Sequence, residues 1–166
     1  MHIRQANEHD IESLFELWKE MRLPHSDYHP EYYPLADEVT IEEKIKTRLL
    51  SMIQDPEYCF SLAQGGNSIV GYCIASTEAK PPIYESITQL HILQAIVTKA
   101  HRKRGVFKRL LNAVRSWGIE KGATEIELLV DSRNLAVKAY EAWGFEIIQY
   151  KMVLQATSSQ PMNADK

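Results

Sequence analysis

The chain has 166 residues, 45% of them apolar and 25% charged, and a net charge of -3. That length suits one domain with a single sizeable core, and the composition is ordinary for a globular protein. The near-neutral balance argues against general nucleic-acid binding, and no run approaches the ~18 apolar residues of a membrane span, so neither a nucleic acid nor a membrane is expected as a partner. The opening MHIRQANEHD has no apolar core of a secretory signal, which makes the cytoplasm the expected compartment. Cys59 and Cys73 sit in apolar, β-like runs and read as buried, reduced thiols, and their spacing is not a metal pattern.

HIRQA opens the chain as a short strand. A helix over about 8–21 follows, with Ile11, Leu14, Phe15, Trp18 and Met21 at helical spacing and Asn7 and Asp10 placed to cap it. Residues 22–38 have no period and read as a long loop rich in tyrosine, histidine and acids, a length that favours a functional role. Thr40 with Glu43 reads as a capping box for a second helix, its inner stripe carried by Ile41, Ile45, Leu49 and Met52. YCFSLA, QGGN and SIVGYCIAST form a hairpin signal.

After a second loop, 79–87, the run ITQLHILQAIVT is apolar on both faces and predicts a central strand over 88–98. Residues 104–120 predict an amphipathic helix with Phe107, Leu110, Leu111, Val114 and Trp117 inward. TEIELLV predicts a strand over 124–130, NLAVKAYEAW a short helix ended by Gly144, and FEIIQYKMVL a last strand over 145–154. One domain over 1–155 and a polar tail over 156–166 are expected. The order β-α-α-β-β-β-α-β-α-β predicts an α/β (α+β) fold, a mixed sheet with helices on both faces. Right-handed crossovers belong between 88–98 and 124–130 and between 124–130 and 145–154.

The chemistry concentrates in LQAIVTKAHRKRGVFKRL, residues 93–110. A buried strand runs into a turn holding Arg102, Lys103, Arg104 and Gly105, with Lys108 and Arg109 close behind, and a helix starts at once. A helix start carries backbone N–H groups without helical partners and the positive dipole end, so it is an anion seat, and a glycine there lets a phosphate approach the backbone. The P-loop and the G-x-G-x-x-G fingerprint are both absent.

The segment Arg102-Lys103-Arg104-Gly105-Val106-Phe107 resembles the [Q/R]-x-x-G-x-[G/A] signature of the GNAT superfamily of N-acetyltransferases, with Phe107 departing at the last position. A second segment, ELLVDSRNLAVKAYEAWGF, is similar to that family's strand followed by N-x-x-A-x-x-x-Y-x-x-x-G-F, through Asn134, Ala136, Tyr140, Gly144 and Phe145. The resemblance covers about residues 2–155. It implies a central sheet splayed at a bulge, with acetyl-coenzyme A as donor and its pantetheine arm filling the gap. It implies that Ile96 and Val97 offer backbone groups to that arm and that residues 103–108 hold the pyrophosphate. Asn134 would cap its helix and touch the coenzyme A arm. Tyr140 would protonate the departing thiolate.

No acid stands at Leu93 or Gln94, where relatives can keep a base. Glu85 and His91 are the candidate bases, beside Asp27 and Glu31, and His91 on a buried strand also reads as a core histidine. His25, Asp27 and His29 lack a defined metal geometry, and no metal is expected. Loops 22–38 and 79–87 are expected to frame an acceptor pocket that Asp27, Glu31, Asp37, Glu38 and Glu85 bias towards a cationic amine. The expected activity is acetyl transfer to a primary amine by direct attack in a ternary complex. The alternatives are a non-catalytic acyl-coenzyme A sensor or partner-binding protein on the same fold. Relatives often form homodimers, so a homodimer is a possible assembly.

Overall fold

A five-stranded sheet grows from the hairpin in a computed structural model of the chain, which describes residues 1–26, 28–30, 38–81, 83 and 87–153. Strand β2 (Tyr58–Gly65) and strand β3 (Ser68–Ala79) pair antiparallel across a tight turn, where Gly66 takes a φ of 64°. Strand β1 (His2–Gln5) pairs antiparallel with β2, and β4 (Thr88–Val97) pairs antiparallel with β3. Strand β5 (Glu125–Leu128) lies parallel to β4, joined through helix α3 (Val106–Glu120). The order β1-β2-β3-β4-β5 is a mixed sheet, as the element order demands.

Alternation along the strands feeds two apolar layers. Helices α1 (Ile11–Ser26) and α2 (Glu38–Gln54) cover one face, where Leu14, Leu17, Leu49 and Met52 pack with Phe60, Leu62, Tyr72, Ile74 and Ile96. Helix α3 covers the other, burying Val106, Leu110 and Val114. Gly118 brings α3 close to β4, because a Cβ there would stand 2.9 Å from Leu90 Cδ1. Each large apolar side chain so buried contributes about 1.5–3 kcal/mol.

The start of α1 is fastened by charge. Arg4 on β1 donates two hydrogen bonds of 2.8 Å to the carboxylate of buried Asp10, and Asp10 also accepts from the Asn7 N–H at 2.9 Å. Asn7 Oδ1 accepts from the His9 N–H at 3.0 Å, so the Asn7–Asp10 pair caps a short 3-10 turn (Glu8–Asp10) that leads into α1.

Three elements differ from the sequence reading. Helix α1 runs to Ser26, past Pro24: a proline in the last turn forfeits one ladder bond without stopping the backbone. Helix α2 begins at Glu38, so Thr40 lies inside it rather than at its cap. No strand is assigned among residues 145–153, where Ile147, Ile148, Tyr150 and Met152 stand exposed. A strand exists only through a paired ladder, and this segment has none among the described residues. The second expected crossover goes with it.

Contacts divide the chain into two compact units, Met1–Asp131 and Ser132–Lys166. The first holds the sheet and α1–α3. The second holds α4 (Val137–Ala142) and the segment that follows it.

Candidate active site

The sheet divides at β4. Ile74 faces Gln94 and Ala75 faces Ile92, so Leu93 is an extra residue in β4, a β-bulge, and its side chain is 43% exposed. Pairing with β5 ends at Ile92–Leu128, next to the bulge. Beyond it β4 continues through Val97 beside β3 alone among the described strands. The two parallel strands thus form a fork whose crotch lies at residues 91–93.

The ladder phase tells which groups of β4 face the opening. The Thr98 N–H donates to the Val70 carbonyl at 3.0 Å, which makes Tyr72–Ile96 a pair that exchanges ladder bonds and Gly71–Val97 a pair that does not. The backbone groups of Ala95 and Val97 therefore turn outward. Those of Ile96, expected to face the opening, turn to Tyr72 instead. The Val97 carbonyl already accepts from Arg102 Nε at 3.0 Å, which leaves its N–H as the outward donor. At Gly71 a Cβ would stand 2.6 Å from the Ile96 carbonyl oxygen, so only glycine lets β3 approach here.

The basic turn follows the outer limb of the fork. Residues Lys99–His101 form a 3-10 turn, with Thr98 Oγ1 2.9 Å from His101 Nδ1. Glu20 of α1 accepts from the Lys99 N–H at 3.0 Å and lies 3.9 Å from the Arg102 guanidinium. Arg102 thus braces the turn. Lys103 has a φ of 59° and Gly105 a φ of 73°, both left-handed, and a Cβ on Gly105 would meet nothing within 4 Å. The turn faces open space. The Arg109 N–H to Gly105 carbonyl bond, at 3.2 Å, opens the helical ladder. The amides of Val106, Phe107 and Lys108 precede that bond at the positive end of α3. Val106 is buried and pins the helix start, Phe107 is half-buried, and Lys103, Arg104, Lys108 and Arg109 are exposed.

At the crotch, His91 of β4 faces Glu127 of β5, Nδ1 to Oε1 at 2.7 Å. Gln89 Nε2 donates to Glu127 Oε2 at 2.9 Å and lies 3.2 Å from Glu125 Oε2. Lys80 donates to Glu125 at 2.7 Å, and its ammonium holds that carboxyl below the usual carboxylate range. On the same face the Tyr72 hydroxyl donates to Gln94 Oε1 at 3.0 Å, and burial pushes that phenol well up, so it stays protonated. His91 is half-buried beside carboxylates, not an apolar-packed core histidine. Sequence reading missed Glu127, Glu125 and Gln89. The polar alternation of Gln89–His91 against Glu125–Glu127 was the available signal, hidden by the apolar character of both runs.

His29 Nε2 lies 3.1 Å from Asp131 Oδ2, just past β5. Glu85, Asp27, Glu31 and Asp37, expected around the acceptor, lie outside the described residues, as does the 156–166 tail; Glu38 opens α2. Cys59 and Cys73 are free and buried, and desolvation pushes the Cys73 thiol well up, which makes it a poor nucleophile.

In the second unit, Asn134 Oδ1 accepts from the Ala136 N–H at 2.9 Å, an Asx turn two residues before the α4 cap at Ala136 rather than the cap itself. Tyr140 packs edge-on against Trp143 and Phe145, with ring centroids 6.1 and 5.7 Å away. Gly144, at a φ of 91°, ends the helix as expected.

The acetyltransferase (GNAT) family model matches residues 11–145. An aminoglycoside N(6')-acetyltransferase type 1 of Salmonella enteritidis is 28% identical over 149 residues, 88% of this chain and 92% of the relative. Among solved structures, a mutant of the BH1408 protein from Bacillus halodurans superposes with a TM-score of 0.82 at 21% identity, over 93% of this chain and 99% of that one. AAC(6')-Iy in complex with a bisubstrate analogue superposes with a TM-score of 0.70 at 22% identity, over 93% of this chain and 96% of that one. No described helix is long and apolar enough to cross a membrane. The forked sheet, the anion turn at the start of α3 and the family match across most of the sequence lead to one assignment: the chain belongs to the acetyltransferase (GNAT) family, the N-acetyltransferases that take acetyl-coenzyme A as donor.

Proposed function

We propose that the protein moves an acetyl group from acetyl-coenzyme A to a primary amine by direct attack in a ternary complex. The observation that carries this reading is the fork. It leaves the outward amides of Ala95 and Val97 beside an opening that ends at the basic turn. An extended pantetheine arm fits such an edge as an added strand. The pyrophosphate goes to the amides of residues 103–108, with Lys103, Arg104 and Lys108 as exposed counter-charges and Arg102 bracing them. Phe107 contributes its amide in place of the family's small residue.

The amine arrives as an ammonium ion and loses one proton to His91. The neutral nitrogen then attacks the acetyl carbonyl, the C–N bond forms and the C–S bond breaks. The second proton passes from nitrogen to the departing sulfur, with Tyr140 as the donor that meets the thiolate. The sum is amide, free coenzyme A thiol and one proton. Glu85 remains a second candidate base, and Asn134 a contact for the coenzyme A arm. No thiol is placed for an acyl-enzyme. One domain over 1–155 is part of this reading, and the family match over 11–145, which crosses the boundary between the units, supports it. A cytoplasmic setting fits the free, buried thiols, and a homodimer is part of the same reading.

The test is release of free thiol from acetyl-coenzyme A with a panel of primary amines, an aminoglycoside among them because a relative carries that name. Release that depends on an amine supports the reading. Tight donor binding with no release from any amine overturns it in favour of an acyl-coenzyme A sensor.

A further inference from the structure

We propose that Glu127 is a positioning residue for His91, holding the ring in the tautomer that leaves the Nε2 lone pair to take the acceptor amine's proton. The inference rests on the acetyltransferase reading and names the machinery for its first proton transfer.

Three observations carry it. His91 and Glu127 stand directly opposite in the parallel ladder, one pair from the end of β4–β5 pairing, so the ring lies at the crotch of the fork. Glu127 is itself held: Oε1 takes His91 Nδ1 at 2.7 Å while Oε2 takes Gln89 Nε2 at 2.9 Å. Gln89 also reaches Glu125, which Lys80 anchors, so the carboxylate is the end of a chain of bonds running along one face. The third is an anomaly. His91 Nε2 is shielded from solvent and has no hydrogen-bond partner among the described residues.

An unpartnered polar atom of this kind is costly and calls for a reason. A carboxylate can only accept, so it selects the tautomer with the proton on Nδ1 and leaves the lone pair on Nε2. Among the described residues, the charged group beside Nε2 is Glu78 Oε2 of β3, at 3.6 Å, beyond hydrogen-bond reach. Among the described residues, two carboxylates, Glu127 from β5 and Glu78 from β3, are the charged groups facing the ring; Tyr72 and Gln94 share its face and are neutral. A lone pair backed by negative charge suits a donor that is cationic and loses a proton, as an ammonium does. The proton taken at Nε2 leaves an imidazolium that Glu127 and Glu78 stabilise, and it passes to solvent after the amide forms.

The ring state can be read without turnover. In protein carrying 15N-labelled histidine, at mildly alkaline pH, native His91 should show the Nδ1–H tautomer. Glu127→Ala should lose that preference, whereas Glu127→Asp should retain part of it. The opposite tautomer in the native protein, or no change in Glu127→Ala, overturns the proposal whatever the protein acetylates. Turnover adds a second readout, using the panel amine that releases most thiol. Glu127→Ala should lower kcat about 10- to 100-fold with the acetyl-coenzyme A KM nearly unchanged. His91→Ala should cost at least as much, and the double variant no more than His91→Ala alone. Multiplying losses would mean that Glu127 acts apart from His91. A chain that shows the tautomer switch but releases no thiol keeps the dyad and loses the enzyme reading, so the two failures are separable.

Discussion

Gly105 is the residue at which the proposed donor binding is most directly tested. Its left-handed φ of 73° suits glycine, and a side chain there would project into open space rather than into the protein. Gly105→Glu therefore sets a carboxylate before the amides of residues 106–108 without disturbing the core. Calorimetry should show the acetyl-coenzyme A Kd rising by about tenfold or more, roughly 1.4 kcal/mol. An unchanged Kd would remove the turn from the pyrophosphate. Tyr140 makes the complementary case. Tyr140→Phe keeps the ring that packs on Trp143 and Phe145 and deletes only the hydroxyl. Turnover should fall by about 100-fold with little change in donor Kd, the pattern of a group used in the transition state. The left-handed turn at Gly105 and the helix that carries Tyr140 were legible because their motifs are local. Glu127 was not, because its meaning depends on which strand lies beside it.

Among the elements, α1 carries a pH-dependent anchor. The hydrogen bonds from Arg4 hold the Asp10 carboxyl below the ordinary carboxylate range. A depressed carboxyl adds stability that is present above its unfolded value, about 3.9, and is lost as pH falls through the folded value. Asp10→Asn should cost on the order of 1–3 kcal/mol at neutral pH, since it strips a buried charged partner from Arg4. Thermal melts of the two proteins should converge on acidification, and a constant difference would exclude Asp10 as the source. The Asn7–Asp10 cap was readable from spacing, as were the hairpin, β4 and α3. The ends of α1 and the start of α2 were not, because Pro24 and Thr40 are strong local signals that a helix can override within its end turns. The missing last strand shows the other limit. Alternating apolar residues define a strand only where a neighbour supplies the ladder.

At the scale of the whole molecule, charge is sorted rather than abundant. A chain of net charge -3 gathers cations at the turn before α3 and lines the crotch of the fork with Glu78, Glu125 and Glu127. Opposite charge thus gathers at opposite ends of β4's outer limb, the arrangement that the proposed phosphorylated donor and cationic acceptor call for. Composition argued against a polyanion partner but could not reveal this sorting, which arises when β5 returns beside β4.

The bulge at Leu93 has a further consequence, for chain length. Before it, Leu90 and Ile92 face α3; after it, Gln94 and Ile96 face α1 and α2. Those faces are the ones an uninterrupted strand would give if residue 92 were joined directly to residue 94. Leu93 is therefore a spare residue. Deleting it leaves every buried side chain on its own face, whereas deleting a residue away from the bulge inverts one limb of β4 against the core. The shortened chain should fold, with a melting temperature within several degrees of the parent, while its affinity for acetyl-coenzyme A drops because the ladder no longer opens there. Such a variant would separate the shape of the fork from the chemistry of its side chains, and loss of folding would show that the bulge is needed for the sheet itself.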